Sequence, residues 1–206
     1  MKNKKKLLLT GLYAAIILVA VYAGYRAWAV RGVMQNMYDT SLGQFQGPAD
    51  ADKVIVEFMD YRCSYCRSIH GIMMDVLERN PDVKIIYRHF PVFVRPSIIE
   101  AEVALAAGMQ GKFSEAHDAL MNRSEPITDR EIEELAQSLD LDLEKFRIDM
   151  KGPEIGYLLL DTLDSVDILG IKSTPTFLVG KTIYTLENGV PTVEIFEKLL
   201  ADAYGP

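Results

Sequence analysis

An α/β domain with an all-helical insertion, preceded by an N-terminal membrane-spanning helix, is the fold class that this sequence predicts. Three observations predict it. Leu7 to Tyr25 runs without a charge. Strand and helix patterns follow one another as β-α-β over residues 54–88 and return as β-β-α after Pro175. Between them lie about seventy residues of helical pattern with no strand candidate.

The first element follows Lys2, Lys4, Lys5 and Lys6. As a helix, its 19 uncharged residues would extend roughly 28 Å, enough to cross a bilayer core. Basic flanks tend to stay inside, so residues 1–6 are expected in the cytoplasm as an n-region, 7–25 as a single-pass signal-anchor, and the rest outside. A cleaved signal peptide is the competing reading, because Ala27-Trp28-Ala29 has the small-x-small pattern of a cleavage site. The length of the apolar stretch and the interruption by Arg26 favour retention. Residues 26–50 read as a stalk or linker. Within it, the weak apolar spacing from Val30 to Gln46 could form one helical stripe and support oligomerisation through residues 30–46.

After Gly47-Pro48, Val54–Met59 is short, β-branched and apolar, the mark of a buried strand, with Glu57 as its one anomaly. Residues 63–79 then place Ile69, Ile72, Met73, Val76 and Leu77 on one helical side and stop at Asn80-Pro81. Val83–Arg88 is again strand-like, and the β-α-β connection makes its strands parallel. In the helical stretch, Ser97-x-x-Glu100 and Thr128-x-x-Glu131 both read as capping boxes. Lys112–Arg123 is amphipathic, another helix starts near Asp142, and Glu154–Leu169 closes on Gly170. Thr176–Val179, a Gly180-Lys181 turn and Thr182–Leu186 form a hairpin, and Thr192 caps a last helix through Tyr204. The main α/β domain therefore comprises residues 51–96 and 169–206, with the insertion at 97–168.

Composition narrows the function. With 49% hydrophobic residues and nine prolines in 206, one ordinary domain plus an appendage fits and wholesale disorder does not. No acid precedes Asp39, which leaves 16 basic against 29 acidic residues downstream of the six N-terminal basic ones, or −13. So acidic a body argues against nucleic acid as a partner. With only Cys63 and Cys66, a multi-disulfide scaffold and a four-cysteine zinc site are excluded.

Cys63-Ser64-Tyr65-Cys66 falls where a buried strand meets the first turn of a helix, and unpaired N–H groups and the macrodipole favour a thiolate there. Cys63, at the open end, suits a nucleophile. Cys66, three residues on and deeper, suits a resolving thiol. Two other readings stay open. A local staple would contribute only about 2 kcal/mol, because the loop it closes is so short. A metal carrier could use Cys63, Cys66 and His70 at CxxCxxxH spacing, with His89 or His117 recruited, although no fourth ligand is evident. Glu57 on a buried strand would resist ionisation and could exchange protons with Cys66; on a frayed strand it would simply meet solvent. Thr174-Pro175 precedes the hairpin, where a proline at the first strand position removes no ladder donor.

Four runs in order, Val-Glu-Phe-Met-Asp-Tyr-Arg-Cys-Ser-Tyr-Cys (56–66), Tyr-Arg-His-Phe-Pro (87–91), Lys-Phe-Ser-Glu-Ala-His-Asp-Ala-Leu (112–120) and Ser-Thr-Pro-Thr-Phe (173–177), resemble the DsbA-like thiol-disulfide oxidoreductases of the thioredoxin superfamily. The resemblance covers roughly residues 47–204. It implies a thioredoxin fold with an inserted all-helical domain, a cis bond before Pro175, and a Thr174-Pro175 loop that faces Cys63 and docks extended substrate chains. Glu57 matches the family's buried acid, and His89 and His117 match positions that are usually structural. Ser64 and Tyr65 stand where the strongest oxidants carry Pro-His, and Thr174 stands in place of valine, which implies a milder potential. The implied partners are cysteine-containing secreted or envelope proteins, a redox partner that resets the active site, and the membrane; no cofactor is implied. The implied location is the periplasmic side of a bacterial cytoplasmic membrane.

Overall fold

The computed structural model describes residues 2–205, with side chains described from residue 11 onward. The side chains of the basic n-region expected at 1–6 lie outside the described residues. The chain divides into two compact units, one ending at Met37 and the other beginning at Tyr38.

The first unit is a single helix, α1 (Lys2–Asn36). From Gly11 to Asn36 it is long and apolar enough to cross a membrane, and none of its most apolar 18-residue window, with mean hydropathy 1.5, is buried in protein. The helix runs through Arg26 and Gly32 without a break. The expected end of the anchor at residue 25 is therefore not an end of secondary structure. A glycine costs about 1 kcal/mol in a helix interior, too little to stop one that leucine, alanine and valine sustain on both sides.

The second unit is built on a five-stranded sheet of order β1-β3-β2-β4-β5, with β1 (Phe45–Gln46), β2 (Lys53–Met59), β3 (Val83–His89), β4 (Thr176–Val179) and β5 (Thr182–Thr185). As the β-α-β pattern requires, β2 and β3 are parallel, while β4 lies antiparallel on the other side of β2. From Val54 to Met59 every residue of β2 is buried. Because successive side chains alternate faces, both faces of the sheet are covered. The hairpin turns on Gly180 at φ 58, with Lys181 outside the positive-φ region, the arrangement of a type II′ turn. A Cβ at Gly180 would also come within 2.8 Å of the Ala203 side chain.

Helix α2 (Ser64–Arg79) follows β2, and α8 (Val193–Tyr204) packs against it and against β2 and β4. Between β3 and β4 run α3 (Arg95–Gly108), α4 (Phe113–Met121), α5 (Asp129–Ser138), α6 (Leu143–Asp149) and α7 (Pro153–Leu169). Thr128 forms the expected capping box with Glu131, Asp142 caps α6, and Gly170 ends α7 in the left-handed conformation at φ 71.

Two expectations need correction. Ser97 and Glu100 do not form a capping box: α3 begins at Arg95, both residues are buried inside it, and Pro96 occupies its first turn. Proline suits that turn because its missing N–H would have no helical partner there. Glu100 does not reach back, because its carboxylate accepts from Arg62 Nε at 2.7 Å and from the Ile127 N–H at 3.1 Å. The second correction concerns the stalk. Residues 30–46 do not form one helical stripe; α1 ends at Asn36, and Phe45–Gln46 add an antiparallel edge strand to β3. Two residues are too few to carry a readable alternation.

Candidate active site

β2 ends at Met59, and the loop Asp60-Tyr61-Arg62 delivers the chain to Cys63, the N-cap of α2. Asp60 shapes this loop from a buried position. One of its oxygens accepts from the Arg62 N–H at 2.7 Å, and the other accepts from the N–H groups of Val92 and Phe93 at 2.7 and 3.3 Å, which joins the loop to the segment after β3. Arg62 is fixed by the Glu100 carboxylate and by the carbonyls of Ser124 at 3.0 Å and Arg123 at 3.3 Å. The Cys63 N–H donates to Asp60 O at 3.0 Å. Asp60, Arg62 and Cys63 are thereby held before the helix begins.

At the cap, Cys63 is extended (φ −72, ψ 116) and no side-chain oxygen takes the orphan N–H groups of the first turn. They remain available to sulfur. Cys63 Sγ also lies 3.4 Å from the Thr174 carbonyl, immediately before a cis Thr174-Pro175 bond. The loop placed opposite Cys63 by the resemblance is therefore in contact with it. Ser64 and Tyr65 are exposed beside the sulfur, whereas Cys66 is fully buried.

These surroundings separate two thiols of one chemical type. A hydrogen bond from the Cys66 thiol is the largest influence on Cys63; burial opposes it, and Thr174 and the N–H groups of Cys66 and Tyr65 add to it, bringing Cys63 down to about 6. Burial pushes Cys66 well above the ordinary thiol value, and the neighbouring Cys63 and Glu57 push the same way. Glu57, on β2 between Tyr87 of β3 and Phe177 of β4, is 2% exposed. Burial, then the charge of Cys63, raises its carboxyl to about 8. The frayed-strand reading of Glu57 does not describe this protein. At neutral pH the site holds a thiolate at Cys63 with proton-bearing groups at Glu57 and Cys66 behind it.

The ligand set of the metal-carrier alternative is not assembled. His70 turns to Asp118 at 3.2 Å and stacks edge-on against His117. Among the described residues it groups with those two and not with the sulfurs. His89 and His117 are buried and both bond the Tyr61 hydroxyl, at 3.2 and 2.9 Å. Burial, then the charge of Arg88, holds His89 down at about 3, so it is neutral.

Asp60, Tyr61, Arg62 and Glu100 were missed by the sequence reading. The first three adjoin the CxxC, which was a usable signal. Nothing local links Arg62 to Glu100, whose pairing exists only once α3 packs beside the loop.

A thioredoxin family profile matches residues 40–202. Na(+)/H(+) antiporter NhaA 1 of Salinispora arenicola is 30% identical over 163 residues, covering 75% of this chain and 25% of that protein. The chain thus spans about a quarter of the length of the curated relatives it matches, and the activity in that name belongs to the longer protein. Among solved structures, a thioredoxin-like oxidoreductase from Silicibacter pomeroyi superimposes with a TM-score of 0.73 at 28% identity, covering 82% of this chain and 96% of that one. The thiol-disulfide exchange protein alpha-DsbA2 from Wolbachia pipientis gives 0.72 at 19% identity, covering 87% and 97%, a likeness of fold.

Proposed function

This chain belongs to the thioredoxin family, and on that premise we propose that it is a DsbA-like thiol-disulfide oxidoreductase whose Cys63 and Cys66 exchange disulfides with cysteine-containing envelope proteins. The observation that carries the reading is the opposed titration of the two sulfurs. Cys63, 6% exposed at the N-cap of α2, is lowered to about 6, and Cys66, fully buried, is raised.

In the oxidising direction a substrate thiolate attacks Cys63 Sγ of the Cys63–Cys66 disulfide. The substrate–Cys63 bond forms, the Cys63–Cys66 bond breaks, and the pair of electrons goes to Cys66. Cys66 has a strong demand for a proton, which Glu57 can deliver. A second substrate thiolate then attacks the substrate sulfur, its own disulfide forms, and Cys63 leaves as a thiolate. Two electrons have passed to the enzyme, and a redox partner must remove them. In the reducing direction the same steps run backwards, with Cys66 resolving the mixed disulfide. Backbone groups around Pro175 position the client chain, and Ser64 and Tyr65 flank the reacting sulfur.

A thiol at about 6 falls between the nucleophilic cysteines of thioredoxin, about 7, and DsbA, about 3.5. The expected reduction potential is accordingly milder than the about −120 mV of DsbA. The apolar N-terminal helix, as a retained anchor, would hold the domain at the outer face of the cytoplasmic membrane.

Substitution tests the assignment. Cys66→Ala should accumulate mixed disulfides with client proteins through Cys63, and Cys63→Ala should accumulate none. If neither variant traps a client, and the metal-free parent fails both insulin reduction and ribonuclease refolding, the reading is wrong.

A further inference from the structure

We propose that His70, His117 and Asp118 form a second site, separate from the sulfurs, that binds one zinc-like divalent transition-metal ion. The three residues offer one ligand atom each, and these atoms lie within 4.8 Å of one another. His70 Nε2 and Asp118 Oδ1 are 3.2 Å apart. Two ligands at zinc distances on a tetrahedral ion are separated by about 3.3 Å. That pair already has the spacing of a tetrahedral edge.

The independent observation is His117. It is fully buried, its Nδ1 bonds the Tyr61 hydroxyl at 2.9 Å, and its Nε2 has no hydrogen-bond partner. An unpartnered buried nitrogen is costly, and ligation would satisfy it. Two proton arrangements serve this chain of contacts, and metal binding selects the one in which His117 Nδ1–H donates to the Tyr61 hydroxyl and Tyr61 donates to His89 Nε2 at 3.2 Å. This arrangement leaves the lone pair on His117 Nε2.

Supports of the kind found behind metal ligands are also present. Tyr61 orients His117. Gln46 Nε2 donates to Asp118 Oδ1 at 2.8 Å, and Gln46 is itself held by the Tyr87 hydroxyl at 2.6 Å. Asp118 is 45% exposed on its side chain and His70 12%, so an ion can reach the cluster from solvent. Two imidazoles and one carboxylate suit zinc, nickel or copper better than calcium or magnesium, which want oxygen. His70 belongs to α2 and His117 and Asp118 to α4, so a bound ion would cross-link the active-site helix to the insertion.

The test uses the full chain in detergent, without a histidine tag and with Cys63→Ser and Cys66→Ser to remove thiolate binding. Titration with zinc against a chromophoric chelator should show one equivalent, weakened at least tenfold by His70→Ala and by Asp118→Asn. Cobalt should give a spectrum of nitrogen and oxygen ligation with no thiolate charge-transfer band. Zinc should raise the Tm by several degrees in the double-serine protein and not in its His70→Ala derivative. Asp118→Asn changes little volume at a half-exposed position, so it keeps the test valid if His70→Ala unfolds. Failure of the double-serine chain to bind one equivalent, or binding indifferent to both substitutions, would overturn the proposal.

Discussion

Cys63 caps α2 and Cys66 lies in its first turn, yet one is held as a thiolate and the other as a thiol. The asymmetry originates in the cap. Cys63 collects N–H groups and the Cys66 thiol, whereas Cys66 is enclosed by apolar neighbours and the Glu57 carboxyl. Iodoacetamide alkylation of reduced protein should therefore titrate with a midpoint near 6. Because the Cys66 hydrogen bond is the largest lowering influence, Cys66→Ala should move that midpoint upward; no movement would remove this account. Glu57 gives the second prediction at this scale. Its folded value, about 8, lies above the ordinary 4.5, so the folded state binds more protons between those values and loses stability as pH rises through them. In the oxidised protein burial, the leading cause, still acts. Glu57→Gln should then gain stability over the parent between pH 5 and pH 8, by up to about 1.4 kcal/mol per pH unit, in urea unfolding. The same variant should slow exchange by about 10²-fold and flatten its pH profile if the carboxyl moves the Cys66 proton.

Among the elements, two sequence patterns of the same form have different outcomes. Thr128-x-x-Glu131 caps α5, with the Thr128 N–H donating to Glu131 at 2.8 Å and the Glu131 N–H donating to the Thr128 hydroxyl at 3.4 Å. Ser97-x-x-Glu100 lies within α3, where Ser97 Oγ is buried without a hydrogen-bond partner. Thr128→Ala should cost about 1 kcal/mol in urea unfolding, the worth of an N-cap, and Ser97→Ala should change stability by no more than about 0.5 kcal/mol. Equal losses would show that α3 starts at Ser97 after all. The contrast has a physical source. A capping box is local and forms when its glutamate has nothing better to bind; Glu100 has Arg62, in a pair whose side chains are 8% and 0% exposed.

On the scale of the whole molecule, charge is divided along the chain. Basic residues precede and punctuate the apolar helix, and the acidic excess lies in the second unit. If that division orients the chain as basic flanks ordinarily do, Cys63 faces outward. A maleimide unable to cross membranes should then label Cys63 of Cys66→Ala in intact spheroplasts, and lysis should add little. Labelling that requires lysis would reverse the orientation.

The sequence by itself determined whatever depends on neighbours along the chain. The parallel β2-α2-β3 unit, the caps at Thr128 and Gly170, the helix start near Asp142, the hairpin at Gly180 and the placement of Cys63 at a helix mouth all rest on periodicity or on a few adjacent residues, and such signals survive without a fold. Only the tertiary structure decided what depends on partners far apart in the chain. It turned Glu100 toward Arg62, drew Phe45–Gln46 onto the sheet, and moved His70 from the cysteines to Asp118, whereas the meeting of Thr174 with Cys63 across 111 positions was expected from the family resemblance and not from local pattern. The reason is that burial and electrostatic pairing are set by which surfaces meet, and a strand of two residues or a lone histidine carries too little local pattern to say where it will be used.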